Sequence, residues 1–272
     1  MIRKTVLVTG ANSGLGWETA RLLLVEGCAV YAGDVKTDKI AELEGLGGKT
    51  LFIDVTDGKS VREAVETMVI AEGRIDVLVN NAGVAFFSNI ENYDLERARQ
   101  MFDVNFFGYA RMIQNVLPFM RKQRKGLIIN VGSGSGHYTT PLCGYYCATK
   151  YAVEALSDAL RQETGPFGIS VSLIEPGYFK SGINESILAG INGTAYSEDY
   201  KPLFQGFKEA FPRMWESGAQ CDTVAAAIVE AVSSETPQAR YYPVESVIRT
   251  KQLKSSLSDE EFDALMLQDI GF

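Results

Sequence analysis

The chain has 272 residues, a formal charge of -8, 46% hydrophobic and 22% charged residues; this length buries a sizeable core, and this composition excludes disorder as the main state. The acidic balance excludes a nucleic-acid binder, which needs a basic face to neutralise phosphates, and the one dense basic run, Arg121 to Lys125, reads as a solvated helix end. Cys28, Cys143, Cys147 and Cys221 lack the spacing of a zinc site or a disulfide framework, so a reducing compartment and no metal are expected. Met1-Ile-Arg-Lys leads straight into an apolar segment without a leader pattern, and no apolar stretch approaches the roughly 18 residues of a membrane span. A cytoplasmic protein with no membrane partner is the expectation.

Short apolar runs alternate with segments of helical period. Strands are predicted at 5–8, 29–33, 50–54, 77–80, 127–131, 170–175 and 239–243, and helices near 15–26, 60–72, 94–122, 145–164 and 222–232. This β-α repeat builds an α/β fold, a doubly wound parallel sheet with helices on both faces. No linker rich in Pro, Gly or Ser interrupts it, so a single domain spanning 1–272 is expected. Two stretches break the rhythm: 178–220, rich in Ile, Leu, Phe and Trp without strand alternation, and a polar tail from 245 to 272 whose Ser258-Asp-Glu-Glu261 is a capping-box pattern opening a last short helix.

The first strand empties into Thr9-Gly-Ala-Asn-Ser-Gly14-Leu-Gly16, and a helix follows at once. Glycines at such a turn let the backbone approach a ligand, and the helix N-terminus presents free N–H groups to a pyrophosphate. Gly10, Asn12, Ser13, Gly14, Leu15 and Gly16 are therefore candidates for binding a dinucleotide. Asp34 ends the second strand, where a carboxylate accepts hydrogen bonds from the adenosine ribose and repels a 2'-phosphate. NAD is expected over NADP, with Lys36 the one basic residue nearby. Asp54 and Val55 after the third strand, and Asn81, Ala82 and Gly83 after the fourth, should face the same crevice at the carboxyl ends of the strands.

The fifth strand ends in Gly132-Ser133, and Tyr146 and Lys150 stand on one face of the next helix by their i, i+4 spacing. A close positive charge favours the phenolate of a tyrosine, which then exchanges protons near neutral pH. The Y-x-x-x-K spacing selects Tyr146 over Tyr145.

With these residues in order, the chain resembles the short, non-extended branch of the short-chain dehydrogenase/reductase family. The resemblance rests on T-G-x-x-x-G-x-G at 9–16, N-N-A-G at 80–83, Asn105 in Val-Asn-Phe-Phe-Gly, Ser133, Y-x-x-x-K at 146–150 and Pro176-Gly177, and it covers nearly the whole chain. It implies a Rossmann-type fold and hydride transfer between a nicotinamide cofactor and an alcohol or ketone. Tyr146 would be the acid/base, Lys150 would lower its pKa and hold the nicotinamide ribose, Ser133 would bind the substrate oxygen, and Asn105 would hold a water in a proton relay. Ser135 could substitute for Ser133, although it is two residues off the family spacing. Pro176, Gly177 and Ser181 would contact the nicotinamide end; Ser181 stands where the family often has threonine, and a serine hydroxyl offers the same donor and acceptor. Glu175, at a position often Asn, has no reading from sequence. His137, between serine and tyrosine, reads as a pocket wall rather than a catalyst; Cys147 reads as packing, and Cys143 could line the substrate cleft.

The 178–220 segment would form a substrate lid, and its apolar content points to a bulky hydrophobic substrate, steroid-, retinoid-, terpenoid- or aryl-ketone-like, unless these side chains merely pack the lid. Residues 224–242 resemble the hydroxysteroid and retinol dehydrogenase-like subgroup. A small polyol or sugar as substrate, and a non-catalytic dinucleotide-sensing regulator or scaffold, are the alternatives. An extended-branch epimerase has a different glycine spacing, and an enoyl reductase a longer tyrosine–lysine interval. Phe106, Phe107, Met112, Phe119, Leu156 and Leu160 give helices 94–122 and 145–164 apolar residues beyond one stripe, which predicts a homodimer or homotetramer.

Overall fold

The computed structural model describes residues 3–272. Among these, seven strands form one sheet: β1 (Thr5–Thr9), β2 (Ala29–Asp34), β3 (Lys49–Phe52), β4 (Val77–Asn80), β5 (Gly126–Val131), β6 (Ile169–Ile174) and β7 (Arg240–Tyr241). All pairs are parallel, in the order β3-β2-β1-β4-β5-β6-β7. Ten helices join or follow them: α1 (Gly14–Val25), α2 (Gly58–Glu72), α3 (Leu95–Phe102), α4 (Gly108–Gln123), α5 (Gly144–Thr164), α6 (Gly182–Asn192), α7 (Lys201–Glu216), α8 (Cys221–Ser233), α9 (Glu245–Ser256) and α10 (Asp259–Asp269).

Successive strand residues point to opposite faces. Val6, Val8, Val77, Val79 and Ile129 pack against α1 and α8 on one side, while Leu7, Leu78 and Ile128 pack against α2 and α4 on the other. Both faces are covered, and the inner strands are therefore apolar throughout rather than alternating. This is a Rossmann-type doubly wound fold. The chain starts in the middle of the sheet, winds outward to β3, then crosses back to β4. The strand order reverses between β1 and β4, and the crevice beyond their carboxyl ends is where such sheets hold ligands.

The helix predicted over 94–122 is interrupted. α3 and α4 are separated by a five-residue π-helical turn over Asp103–Phe107, a feature frequent at functional sites. Its extra residue lets the fully buried Asn105 turn inward, where its amide accepts from Val84 N and donates to Val84 O, both at 2.9 Å. The expected outer apolar face also shrinks: Met112 and Leu160 belong to the core, and Phe119 and Leu156 pack against it. The last strand is two residues long rather than five.

The two arrhythmic stretches fold into helices. α6 and α7 occupy the 178–220 segment, with Phe204, Phe207 and Phe211 buried in a satellite core. The tail forms α9 and α10, and Ser258 and Glu261 make the expected reciprocal cap at 3.2 and 2.8 Å. These last helices brace what lies above the sheet. Val247 of α9 sits where a Cβ on Gly134 or Gly177 would come within 3.2 or 3.1 Å of it, and Phe262 of α10 meets Tyr138 edge-on at 6.4 Å. Gly206 of α7 leaves room for the Ile270 carbonyl, with which any side chain there would collide. Among the described residues no helix is long and apolar enough to cross a membrane.

Candidate active site

A cleft of about 1300 Å³ opens along the carboxyl ends of the strands, beyond the roughly 300–1,000 Å³ of a drug-sized pocket and suited to a longer ligand. Gly10 and Gly14 take φ values of +66° and +53°, so the turn after β1 curls back under the N-terminus of α1. A Cβ on Gly10 would lie 2.7 Å from Ala82 Cα, and one on Gly16 would collide with the Gly10 carbonyl. The glycines thus divide their work. Gly10, Ser13, Gly14 and Leu15 line the cleft, whereas Gly16 packs helix onto turn. Asn12 is also drawn away from the cleft: its amide donates to Asp38 at 2.8 Å and accepts from Lys39 N and Ile40 N at 2.9 and 3.1 Å.

Asp34 lies at the cleft edge, oriented by Asn12 N and Lys36 N, each donating to its carboxylate at 3.1 Å. Asp54, Val55, Asn81, Ala82 and Gly83 line the same wall. The Thr9 hydroxyl accepts from Asn81 N and Ala82 N at 3.1 Å, and the Asn81 amide donates to Thr9 O at 2.9 Å. The turns after β1 and β4 are thereby locked across the reversal point.

At the far end, Tyr146 and Lys150 of α5 enter the cleft together with Asn105, Pro176 and Ser181. Ser133 stands instead in a smaller adjoining cavity of about 90 Å³, along with Gly177, Cys143, Phe87, Tyr178 and Phe211. Tyr146 lines both spaces. The Ser133 hydroxyl bears on the Tyr146 phenol, while that of Ser135 turns to Cys147. Lys150, 4% exposed, donates to Val131 O at 2.8 Å, and its Nζ is 5.9 Å from the centre of the Tyr146 ring.

The electrostatics run against the expected tuning. Burial raises the Tyr146 phenol above its ordinary value, and the Ser133 hydroxyl only partly offsets this. Burial likewise lowers Lys150 to about 8, against a smaller upward pull from Glu154. Desolvation outweighs any benefit the phenolate draws from the ammonium, because Lys150 is buried and Tyr146 half-buried beside it.

His137 does not line either space. Its Nε2 is paired with Glu175, which is fully buried and also lies 3.1 Å from Arg240 Nε. This buried carboxylate engages the imidazole, and Glu175 itself gains a reading as its partner. His137, Glu154 and Glu175 bring ligand-type atoms within 4.8 Å of one another, but Arg240 already supplies the positive charge there. The signal missed in the sequence was Arg240, far along the chain on β7.

The residues fit a nicotinamide dinucleotide. The turn offers N–H groups, Asp34 a ribose acceptor, and Ser181 a hydroxyl whose Oγ is buried in the cleft without a partner. A family model described as short chain dehydrogenase matches residues 4–192. The chain belongs to that family. It is 38% identical over 240 residues to a 3-ketodihydrosphingosine reductase of Bacteroides thetaiotaomicron, covering 86% of each chain. It is 31% identical over 274 residues to an NADPH-dependent 3-dehydrocapnine reductase of Ornithobacterium rhinotracheale, covering 97% of this chain and 96% of that one. Among solved structures, a short-chain dehydrogenase from Streptomyces avermitilis superposes with a TM-score of 0.81 at 29% identity, covering 93% of both chains. This short-chain dehydrogenase is an oxidoreductase that uses a nicotinamide cofactor and acts on an alcohol or ketone.

Proposed function

We propose that this dehydrogenase interconverts an apolar ketone and its secondary alcohol, with Tyr146 as acid/base and NAD as the preferred cofactor. One observation carries the reading: Tyr146 stands where the dinucleotide-sized cleft meets the cavity that holds Ser133. A carbonyl oxygen placed there meets two hydroxyl groups. Burial keeps Tyr146 a neutral phenol, the form that donates a proton to a carbonyl, and Ser133 orients the same oxygen. Lys150 is held under the phenol by Val131 O and supplies a positive charge and a donor at the ribose end. A nicotinamide, when bound, gives or takes the hydride. Ser181 has the free hydroxyl for its carboxamide, and Asp34 the carboxylate for the distal ribose. Asn105, with its amide committed to Val84, shapes the floor of the site.

The preference for an apolar substrate rests on Phe87, Tyr178 and Phe211 in the smaller cavity. Two relatives named as reductases of a 3-keto and a 3-dehydro compound support a ketone substrate. At about 90 Å³ the cavity takes a slim group; a steroid-sized ring system requires α6 and α7, the lid of this single catalytic domain, to swing outward. Asp34, with Asp38 close behind Asn12, favours NAD by repelling a 2'-phosphate, although one relative is named for NADPH. Tyr151, 41% exposed on α5, supports a homodimer or homotetramer through α4 and α5.

The test is a panel of apolar ketones and alcohols followed by nicotinamide absorbance with the Tyr146→Phe variant beside the parent. We expect the variant to lose about 10²–10⁴-fold in turnover while dinucleotide affinity holds. An active variant removes Tyr146 from the mechanism, and tight dinucleotide binding without turnover of any substrate returns the chain to the class of dinucleotide sensors.

A further inference from the structure

Lys150 is buried, and among the described residues it donates one hydrogen bond, to Val131 O, a neutral acceptor. An acid follows on its own helix. Glu154 follows one turn later on the same face of α5, 8% exposed. Among the described residues its Oε1 is buried without a partner, and it lies 3.3 Å from where a Cβ on Gly132 would stand. The ammonium and the free carboxylate oxygen therefore sit at the neighbouring residues Val131 and Gly132, where β5 ends beneath the cleft.

Glu154 is held there by Arg240, which also reaches two further acids. Arg240 of β7 donates to its Oε2 at 2.9 Å and to Asp158 at 2.9 Å. Arg240 also reaches Glu175 after β6 at 3.1 Å, and Glu175 pairs with His137 from the loop that carries Ser133. This arrangement spends one guanidinium and one imidazole on three carboxylates, yet leaves Glu154 Oε1 unpaired among the described residues, beside Gly132.

We propose that Glu154 is a positioning residue for the reaction: its carboxylate holds Lys150 in the ammonium form, and Arg240 holds Glu154 in place. The link to turnover rests on the proposed role of Tyr146; the link between Glu154 and Lys150 does not. Burial pulls Lys150 down to about 8, and the charge of Glu154 pulls it back. Burial, and after it the charge of Glu175, raise Glu154 in turn, with Arg240 opposing. The ionisable groups facing Lys150 are Tyr146 and Glu154 on α5 and Tyr109 on α4, whose ring centre is 5.6 Å from Nζ. Behind Glu154 stand Glu175, His137, Arg240 and Asp158. The two acids thus act on Lys150 with opposite signs. Glu154 supports the ammonium directly, while Glu175 weakens that support by pushing Glu154 toward its neutral form.

The full chain labelled with ¹³C,¹⁵N-lysine allows the Lys150 side chain to be titrated by NMR, its signal assigned by its absence from Lys150→Met. In the parent it should titrate near pH 8. Glu154→Gln, which keeps the shape and one acceptor for Arg240, should lower that midpoint by about one unit, and Glu175→Gln should leave it in place or raise it. The alkaline limb of the kcat profile should move with the midpoint in each variant, which a purely structural role of Glu154 would not produce. A midpoint unchanged in Glu154→Gln overturns the proposal. Should that variant not fold, a fall in Glu175→Gln overturns it equally. Neither titration depends on turnover, so a fully active Tyr146→Phe chain would defeat the proposed mechanism and leave this result standing.

Discussion

The Nζ of Lys150 donates to the carbonyl oxygen of Val131 at 2.8 Å, tying the second turn of α5 to the carboxyl end of β5. The bond fixes the lysine under Tyr146, but a carbonyl is a weak substitute for the water or counter-ion that a buried ammonium has lost.

Stability should therefore depend on pH through this residue. The folded value of Lys150, about 8, lies below the ordinary 10.5, so from pH 8 to 10.5 the unfolded chain binds the extra proton and stability rises with pH. Below about pH 8 the lysine is charged in both states and the penalty is present in full. Urea unfolding of the parent against Lys150→Met should show the difference shifting in the parent's favour by about 1 kcal/mol per pH unit above pH 8. The raised tyrosines, Tyr146 and Tyr109, act oppositely above pH 10, so the comparison belongs at pH 7 and 9. A constant difference between those values would place the charge elsewhere.

Asp34 should decide the cofactor. Replacing it by Ser removes the negative charge while Lys36 remains two residues on. Relative to NAD, kcat/KM with NADP should rise about tenfold or more, equivalent to roughly 1.4 kcal/mol. Steady-state rates with both cofactors measure this, and an unchanged ratio would show that the carboxylate does not face the 2'-position.

Gly16→Ala tests the division of labour within the turn. Its Cβ would collide with the Gly10 carbonyl, so we expect a loss of about 1–3 kcal/mol in stability together with weakened dinucleotide binding. Calorimetry and fluorescence titration report the two effects. Asn12→Ala, by contrast, removes the caps on Lys39 N and Ile40 N and should cost stability with little effect on affinity per folded molecule.

Phe211 walls the small cavity and stacks on Phe207 at 5.1 Å. Phe211→Ala should cost about 3–5 kcal/mol and shift preference toward wider ketones, read as a fall in KM for aryl or ring ketones relative to linear ones. If the order of KM values across the panel does not change, substrate enters from the cleft side instead.

The local motifs were legible because each depends on neighbours close in sequence. Gly10 and Gly14 advertise a left-handed turn, Tyr146 and Lys150 a shared helix face, and Ser258 with Glu261 a helix start. The alternating β-α rhythm likewise sufficed to place the sheet. What stayed hidden depends on contacts between distant segments. The partners of Glu175 come from the loop at His137 and from β7, and the burial that raises Tyr146 is shared by Phe87 and the apolar cluster around it. The π turn at Asn105 is likewise set by its bonds to Val84. Asn12 and Gly16 carried the same motif signal as Gly10, yet tertiary packing turned both away from the cleft.

The notch at Gly206, filled by the Ile270 carbonyl, has a consequence for the order in which the molecule is made. β1 to β5 and the dinucleotide turn leave the ribosome early and, in vectorial folding, settle first. The wall over Tyr146 is completed only after Ile270 has been synthesised and has docked on α7. A nascent chain stalled before that point would have a cofactor half without its substrate half. Cleavage just ahead of Ile270 should release a species that retains dinucleotide affinity while its lid helix exchanges amide protons faster.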